Sequence, residues 1–298
     1  MEPEYKRIFG PTRERPPIAA PNASAFFKEL LSLRTILLIG ALTQLLLTAI
    51  LPRYALLPPL LLTLHTFATT IHALTSNPFP SDPTVIIRDR TSTQFPQAPS
   101  DAPNTPSAAP QQPGVVAFHL GVRFNHPLGI LAPGARAVAA HFAACNARVA
   151  ADAAAYGCLG YSSWRGDAQP ANNTLLSVYY FRDVEGLNRF ARDPVHRTAW
   201  DWYAREFARG EGGWGIGVFH ETFYAPPGRW ETVYVNMPPT LLGAVSVPVA
   251  GQEGEEEWVG LLVDGAHPGL KNQYARMGTV VKGEQLGLIG DEQHQGAP

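Results

Sequence analysis

Across 298 residues, 23 Lys and Arg stand against 25 Asp and Glu, a formal net charge of -2. That balance lacks the basic footprint of a nucleic-acid binder, so nucleic acid is not an expected partner, and the length allows one or two domains. Two cysteines, Cys145 and Cys158, with no CxxC or Cys/His spacing, exclude a disulfide framework and a zinc site and point to a reducing compartment.

Residues 1–34 form a basic N-terminal segment carrying Lys6, Arg7, Arg13, Arg15, Lys28 and Arg34. An uncharged run then extends from Thr35 to Leu51, and a second from Tyr54 to Leu74. At about 1.5 Å per residue these cover roughly 25 and 30 Å, against a hydrocarbon core of about 30 Å, so residues 35–75 read as a two-helix membrane anchor, an N-terminal transmembrane hairpin. Pro58, Pro59, His65 and several threonines weaken the second run and keep a shallow re-entrant or monotopic hairpin open. The run begins too far into the chain, and is too long, for a cleaved signal peptide. Only Arg53 lies in the turn, and Arg88 and Arg90 follow, so the positive-inside bias places the body at the cytosolic face of an internal membrane, the endoplasmic reticulum. Under that topology the acceptor patterns at Asn22 and Asn172 are chance matches.

Residues 76–113 are rich in proline among small polar residues and read as a tether, with Thr84–Ile87 either a short edge strand or a segment lying against the body. The body spans 114–236. Its first strand starts at Val115 and alternates. Val116, Phe118, Leu120, Val122 and Phe124 form an apolar row, expected to be core, while His119, Gly121, Arg123 and Asn125 share the other face, expected to carry chemistry. Ala135, Val138, Phe142, Cys145 and Val149 make a helical stripe that Tyr156-Gly157 ends. Strands from Cys158 to Trp164 and Thr174 to Phe181 follow, joined by the polar loop 165–173. Asp183 caps a short helix, and Asp193-Pro194 starts another, with Asp as N-cap and Pro in the first turn. After the glycine cluster Gly210 to Gly217 a strand runs to Ala225, and another extended segment reaches Asn236. Residues 237–298 form a C-terminal extension, with an acidic run at Glu253 to Glu257, one strand-like piece and a frayed tail.

The order β-α-β-β-α-β predicts an α+β fold, the ferredoxin-like split unit. Its helices cover one sheet face, and a second copy covering the other would form a homodimeric α+β barrel with a cavity for a small apolar substrate. His196, Ala199, Trp200, Tyr203 and Phe207 share one helix face, with Arg197, Asp201 and Arg205 as a charged ladder opposite. His196 near the helix start is a core histidine, a haem ligand or a general base. His220 and Glu221 lie on opposite faces of one strand, so only one of them meets the cavity. A Glu there would act as acid or base, or pair with Arg123.

The segments HLGVRFNHPLGILAPG, YGCLGYSSW, YYFRDVEGLNRFA, HRTAWDWY, GVFHETFY and WETVYVNMPPTLLGA, in that order, resemble the fungal monooxygenase-like family related to the membrane-anchored monooxygenase of fumagillin biosynthesis. The resemblance covers roughly residues 115–280. It implies a dimeric α+β barrel enzyme of secondary metabolism, with cofactor use open between none and haem, and it brings no family-wide catalytic residues. The wider barrel superfamily includes cofactor-independent oxygenases, haem-degrading enzymes and haem dehydratases, so the alternatives are a haem-dependent dehydratase-like enzyme and a non-catalytic lipophile-binding or pathway-tethering protein. Cofactor-free oxygenation needs a base in a dry pocket. The candidates are His119, His196, His220 and Glu221, with Arg123, Asn125, Trp164, Trp200 and Tyr203 contacting substrate, and His196 within reach of His119 or His220 across the cavity.

Overall fold

A computed structural model describes residues 5–16, 33–75, 86–96, 113–126, 129–166, 173–208, 215–251 and 255–277. The proline-rich stretch 97–112, both acceptor asparagines, the start of the glycine cluster, Glu253 and the tail beyond 277 lie outside the described residues. The chain divides into two compact units, one of residues 1–16, 88–115 and 224–298, the other of 17–87 and 116–223.

The second unit begins with two helices, α1 (Leu33–Ile50) and α2 (Leu57–Thr75). The helical hairpin is therefore present, and Gln44 Nε2 ties its turn by donating to the Ala55 carbonyl at 2.9 Å. Its transmembrane reading is corrected: no helix among the described residues is long and apolar enough to cross a membrane. Arg34 falls inside α1, so the uncharged remainder reaches only about 24 Å against roughly 30 Å of hydrocarbon. Pro58 and Pro59 occupy the first turn of α2, and Thr63, Thr66, Thr69 and Thr75 donate to carbonyls four residues back. Leu38, Leu42, Leu45, Leu61, Phe67 and Ile71 are among the exposed large side chains of the hairpin.

Apart from Val115 and the last two residues of β5, the same unit holds β2 (Val115–Phe124), α3 (Ala135–Ala151), α4 (Ala153–Tyr156), β3 (Cys158–Gly166), β4 (Thr174–Phe181), α5 (Val184–Ala191), α6 (Pro194–Tyr203) and β5 (Ile216–Ala225). The sheet order is β3-β4-β2-β5, with β4 antiparallel to both β2 and β3. This is the expected split β-α-β-β-α-β order. Gly134 (φ 85°) opens α3 and Gly157 (φ 65°) closes α4, both left-handed, a conformation that costs glycine nothing. The expected single helix is interrupted at Asp152, whose φ of -116° leaves the helical region.

The apolar row of β2 faces the helices. Val116, Tyr179 and Phe181 pack with Val149, Ala153, Tyr156 and Leu187, while Val122 and Phe124 pack with Val138 and Ile216. Gly186 of α5 lies against α4 so closely that a Cβ there would sit 2.0 Å from the Tyr156 carbonyl oxygen. Backbone cannot step aside, so Gly186→Ala is expected to destabilise by about 3 kcal/mol. An unchanged denaturant midpoint would overturn the close approach.

The first unit joins stretches that the sequence reading had split among the N-terminal segment, the tether, the end of the body (224–236) and the extension. Strand β1 (Ile87–Thr93) lies between β6 (Tyr234–Met237) and β9 (Leu262–Asp264), and β7 (Ser246–Ala250) pairs with β8 (Glu256–Gly260). Arg7 and Thr12 bridge to Val263 and Trp258. Leu261, Leu262, Val263 and Leu270 are fully buried within it, and Arg276 pairs with Glu231.

Candidate active site

Between the helix-facing side of the sheet and α3, α5 and α6 lies a cavity of about 410 Å³, within the range of small-ligand pockets. Phe118, Leu120, Tyr179, Phe181, Val218, His220 and Thr222 form its sheet wall. Val138, His141, Phe142, Cys145, Asn146 and Val149 line it from α3, and His196, Arg197, Trp200, Trp202 and Tyr203 from α6.

The start of α6 is held in place by Asp193, which is 7% exposed. One carboxylate oxygen accepts the Val195 N–H at 2.8 Å, capping the helix as the Asp-Pro pair predicts. The other accepts the Tyr156 hydroxyl at 2.6 Å and Arg148 Nε at 3.0 Å, and Arg148 also pairs with Asp152 one turn on. The Tyr156 hydroxyl bond above all, despite opposing burial, holds the Asp193 carboxyl below its ordinary range.

His196 Nδ1 lies 2.9 Å from the Ala191 carbonyl. A carbonyl only accepts, so Nδ1 carries the proton and Nε2 of the neutral ring keeps its lone pair. Burial, against the pull of the Ala191 carbonyl, lowers the His196 pKa, with Arg197 and His220 adding to the effect. Phe190 meets the imidazole edge-on at 5.3 Å, and His220 lies 5.5 Å from the Phe118 ring, both between centroids. A basic nitrogen in an aromatic-walled cavity is what a general base, or a haem ligand, requires.

The two faces of the sheet sort the expected residues. His196, His220, Trp200 and Tyr203 come together around the cavity. His119, Glu221, Arg123, Asn125 and Trp164 do not, because β2 and β5 alternate and the apolar row, not the polar one, faces the helices. His119 Nδ1 instead lies 4.0 Å from Glu221 and its ring 5.4 Å from Phe223, so Glu221 pairs with His119 and not with Arg123. Arg123 Nε donates to Asn125 at 2.9 Å, and Trp164 Nε1 donates to Ser162. The expected reach from His196 to His119 is corrected; His220 is the histidine on its side. Phe207 lies in a π turn after α6 and stacks on Tyr203 at 5.8 Å.

Several cavity residues escaped the sequence reading. The Tyr179 hydroxyl donates to Asn146 at 2.6 Å, and burial raises its pKa. Burial, then Asp193, pushes the Cys145 thiol up to about 11, keeping it protonated. His141 could have been found, since it lies three residues after Val138 and four before Cys145 on the same stripe, and its ring sits 4.6 Å from Trp202.

An α+β sheet roofed by helices over an aromatic cavity with three imidazoles is the frame of a small-ligand enzyme or carrier. The chain belongs to the Monooxygenase af470-like family, whose profile matches residues 115–242. It is 38% identical to Monooxygenase af470 of Aspergillus fumigatus over 284 residues, which is 93% of this chain and 99% of that protein. Among solved structures, SnoaB, a cofactor-independent oxygenase from Streptomyces nogalater, is 16% identical over 37% of this chain and 90% of its own, with a TM-score of 0.22. An aldoxime dehydratase bound to butyraldoxime is 16% identical over 65% and 44%, with a TM-score of 0.37. Likenesses of that extent decide nothing about chemistry.

Proposed function

We propose that the protein is a monooxygenase acting on a small or medium apolar substrate of the secondary-metabolite type inside the α6 cavity, with His196 as general base. The observation that carries the reading is the Nδ1 contact to Ala191, which leaves Nε2 basic in an apolar chamber. Oxygenation without a cofactor balances when the substrate is a carbon acid. A methylene group and dioxygen give a ketone and water: both C–H bonds break, one oxygen atom becomes the carbonyl and the other leaves as water. The substrate supplies all the electrons, and His196 takes the first proton to form the carbanion that reduces oxygen. The test is oxygen uptake with apolar carbon acids on protein showing no Soret band, with His196→Gln as the blank. A Soret band as isolated would move the assignment to the haem-dependent class, and uptake equal to the blank would leave a binding protein.

The exposed hairpin is proposed to lie in the interface of an internal membrane, with the body on the cytosolic side. Its apolar area exceeds what a monomer in water tolerates. Full-length protein is expected to float with liposomes, and protein lacking residues 33–75 to stay at the bottom of the gradient; equal flotation of both would remove the hairpin from this role. The sheet face away from the cavity exposes Trp164 (42%), Phe219 (43%) and Phe223 (52%). A second copy is proposed to cover it. Gel filtration in mild detergent is expected to give a dimer that Phe223→Glu dissociates, and a monomeric wild type at micromolar concentration would sink the proposal.

A further inference from the structure

The charges around the cavity are one-sided. Among the described residues lining it are one guanidinium, Arg197, and three imidazoles, His141, His196 and His220, and no aspartate or glutamate. The carboxylate at the start of α6, Asp193, is already engaged by Tyr156, Arg148 and the Val195 N–H. The acidic partner of Arg197 is Asp201 at 3.8 Å, and both side chains are more than half exposed, 61% and 53%. Pairs of that kind hold weakly and exchange readily. Arg197 thus lines the cavity held only by an exposed, weak pair, and apart from the imidazoles the rest of the lining is uncharged.

From this asymmetry we infer that the ligand is an apolar acid, a flat or bulky hydrocarbon body carrying one anionic or readily ionised oxygen group that Arg197 receives. This deepens the monooxygenase reading and rests on its cavity. An anionic group lodged at Arg197 also orients the ligand along the His196 side. A neutral hydrocarbon would leave Arg197 with only its exposed and weakly held partner Asp201, whereas an anionic group adds a second, charge-assisted contact. The chemical class is therefore a carboxylic acid, an acidic enol or a phenol, not a plain terpene or alkane.

Two probes with one skeleton separate the charge from the cavity: 8-anilinonaphthalene-1-sulfonate and N-phenyl-1-naphthylamine, which lacks the sulfonate. Both fluoresce on apolar burial, and both are titrated into full-length protein. Wild type is expected to bind the sulfonate roughly tenfold more tightly than the amine, the effect of one charge-assisted contact. Arg197→Gln should bring that ratio near one, Arg197→Lys should keep part of it, and Arg192→Gln, an exposed cation not lining the cavity, should leave it unchanged. The ratio should also shrink between 50 and 500 mM salt, as a partly exposed pair is screened. Sites on the hairpin are common to all variants and drop out of the comparison. A ratio that Arg197→Gln leaves intact, or that Arg192→Gln lowers equally, overturns the inference while leaving the cavity reading standing. If neither probe's titration responds to Trp200→Ala, the cavity reading itself fails, and the acid preference with it.

Discussion

Replacing His196 with glutamine is expected to lower the single-turnover rate by about two to four orders of magnitude, the usual contribution of a positioned general base. Glutamine keeps most of the volume, and its amide can still donate to the Ala191 carbonyl that now holds Nδ1 at 2.9 Å. The thermal midpoint should therefore move little. What disappears is the Nε2 lone pair. Because burial holds the imidazole below its ordinary pKa, the base form persists to lower pH than in a free histidine. The acid limb of the wild-type rate should accordingly fall below about pH 6.5, and the glutamine variant should lack it. His119→Gln supplies the contrast, since that ring lies on the other sheet face beside Glu221 and Phe223, and its rate should stay within a few-fold of wild type. A His196→Gln protein that melts several degrees lower yet keeps its full rate would make His196 a packing residue.

The contrast between those two histidines also marks how far the sequence could be read. Alternation along β2 and the three-and-four spacing on α6 assigned elements and faces correctly, because both periods are imposed by backbone geometry. Which face of β2 would meet a ligand was not legible. The polar row looked like chemistry, but a cavity under helices is walled by the face that packs, so Phe118 and Leu120 line it and His119 does not. The first unit was harder still. Thr91, Ser92, Thr93 and Gln94 are buried although polar, and Ser92 and Thr93 are bonded to Thr232 some 140 residues away. A polar strand inside a proline-rich stretch gives no apolar period, and its partners are set by long-range pairing that local pattern does not encode. Arg197 was placed on the outer ladder by helix phase alone. It does pair there with Asp201, and that it also lines the cavity is something phase did not show.

Asp193→Asn is expected to destabilise the protein by about 2 kcal/mol at pH 7, and the loss should depend on pH. Asparagine can still cap α6 through its oxygen, so the Val195 bond survives. Its amide nitrogen cannot accept, so the Tyr156 hydroxyl and Arg148 Nε both lose their acceptor in a buried place; the Tyr156 bond carries most of the cost, since Arg148 is half exposed. The folded pKa of Asp193 lies below its ordinary value, so the carboxylate contributes its stability above about pH 4 and loses it as pH falls through the lower folded value. The gap between wild type and Asp193→Asn should therefore be widest near neutrality and close in strong acid. A double-mutant cycle with Tyr156→Phe isolates the bond, and a coupling of at least about 1 kcal/mol is expected for groups in direct contact. Simple additivity, or a gap that stays constant from pH 7 to pH 3, would mean that Asp193 acts as a helix cap alone. In that case the anchorage of α6 to α4, and with it the placement of His196 against the sheet, would rest on side-chain packing instead.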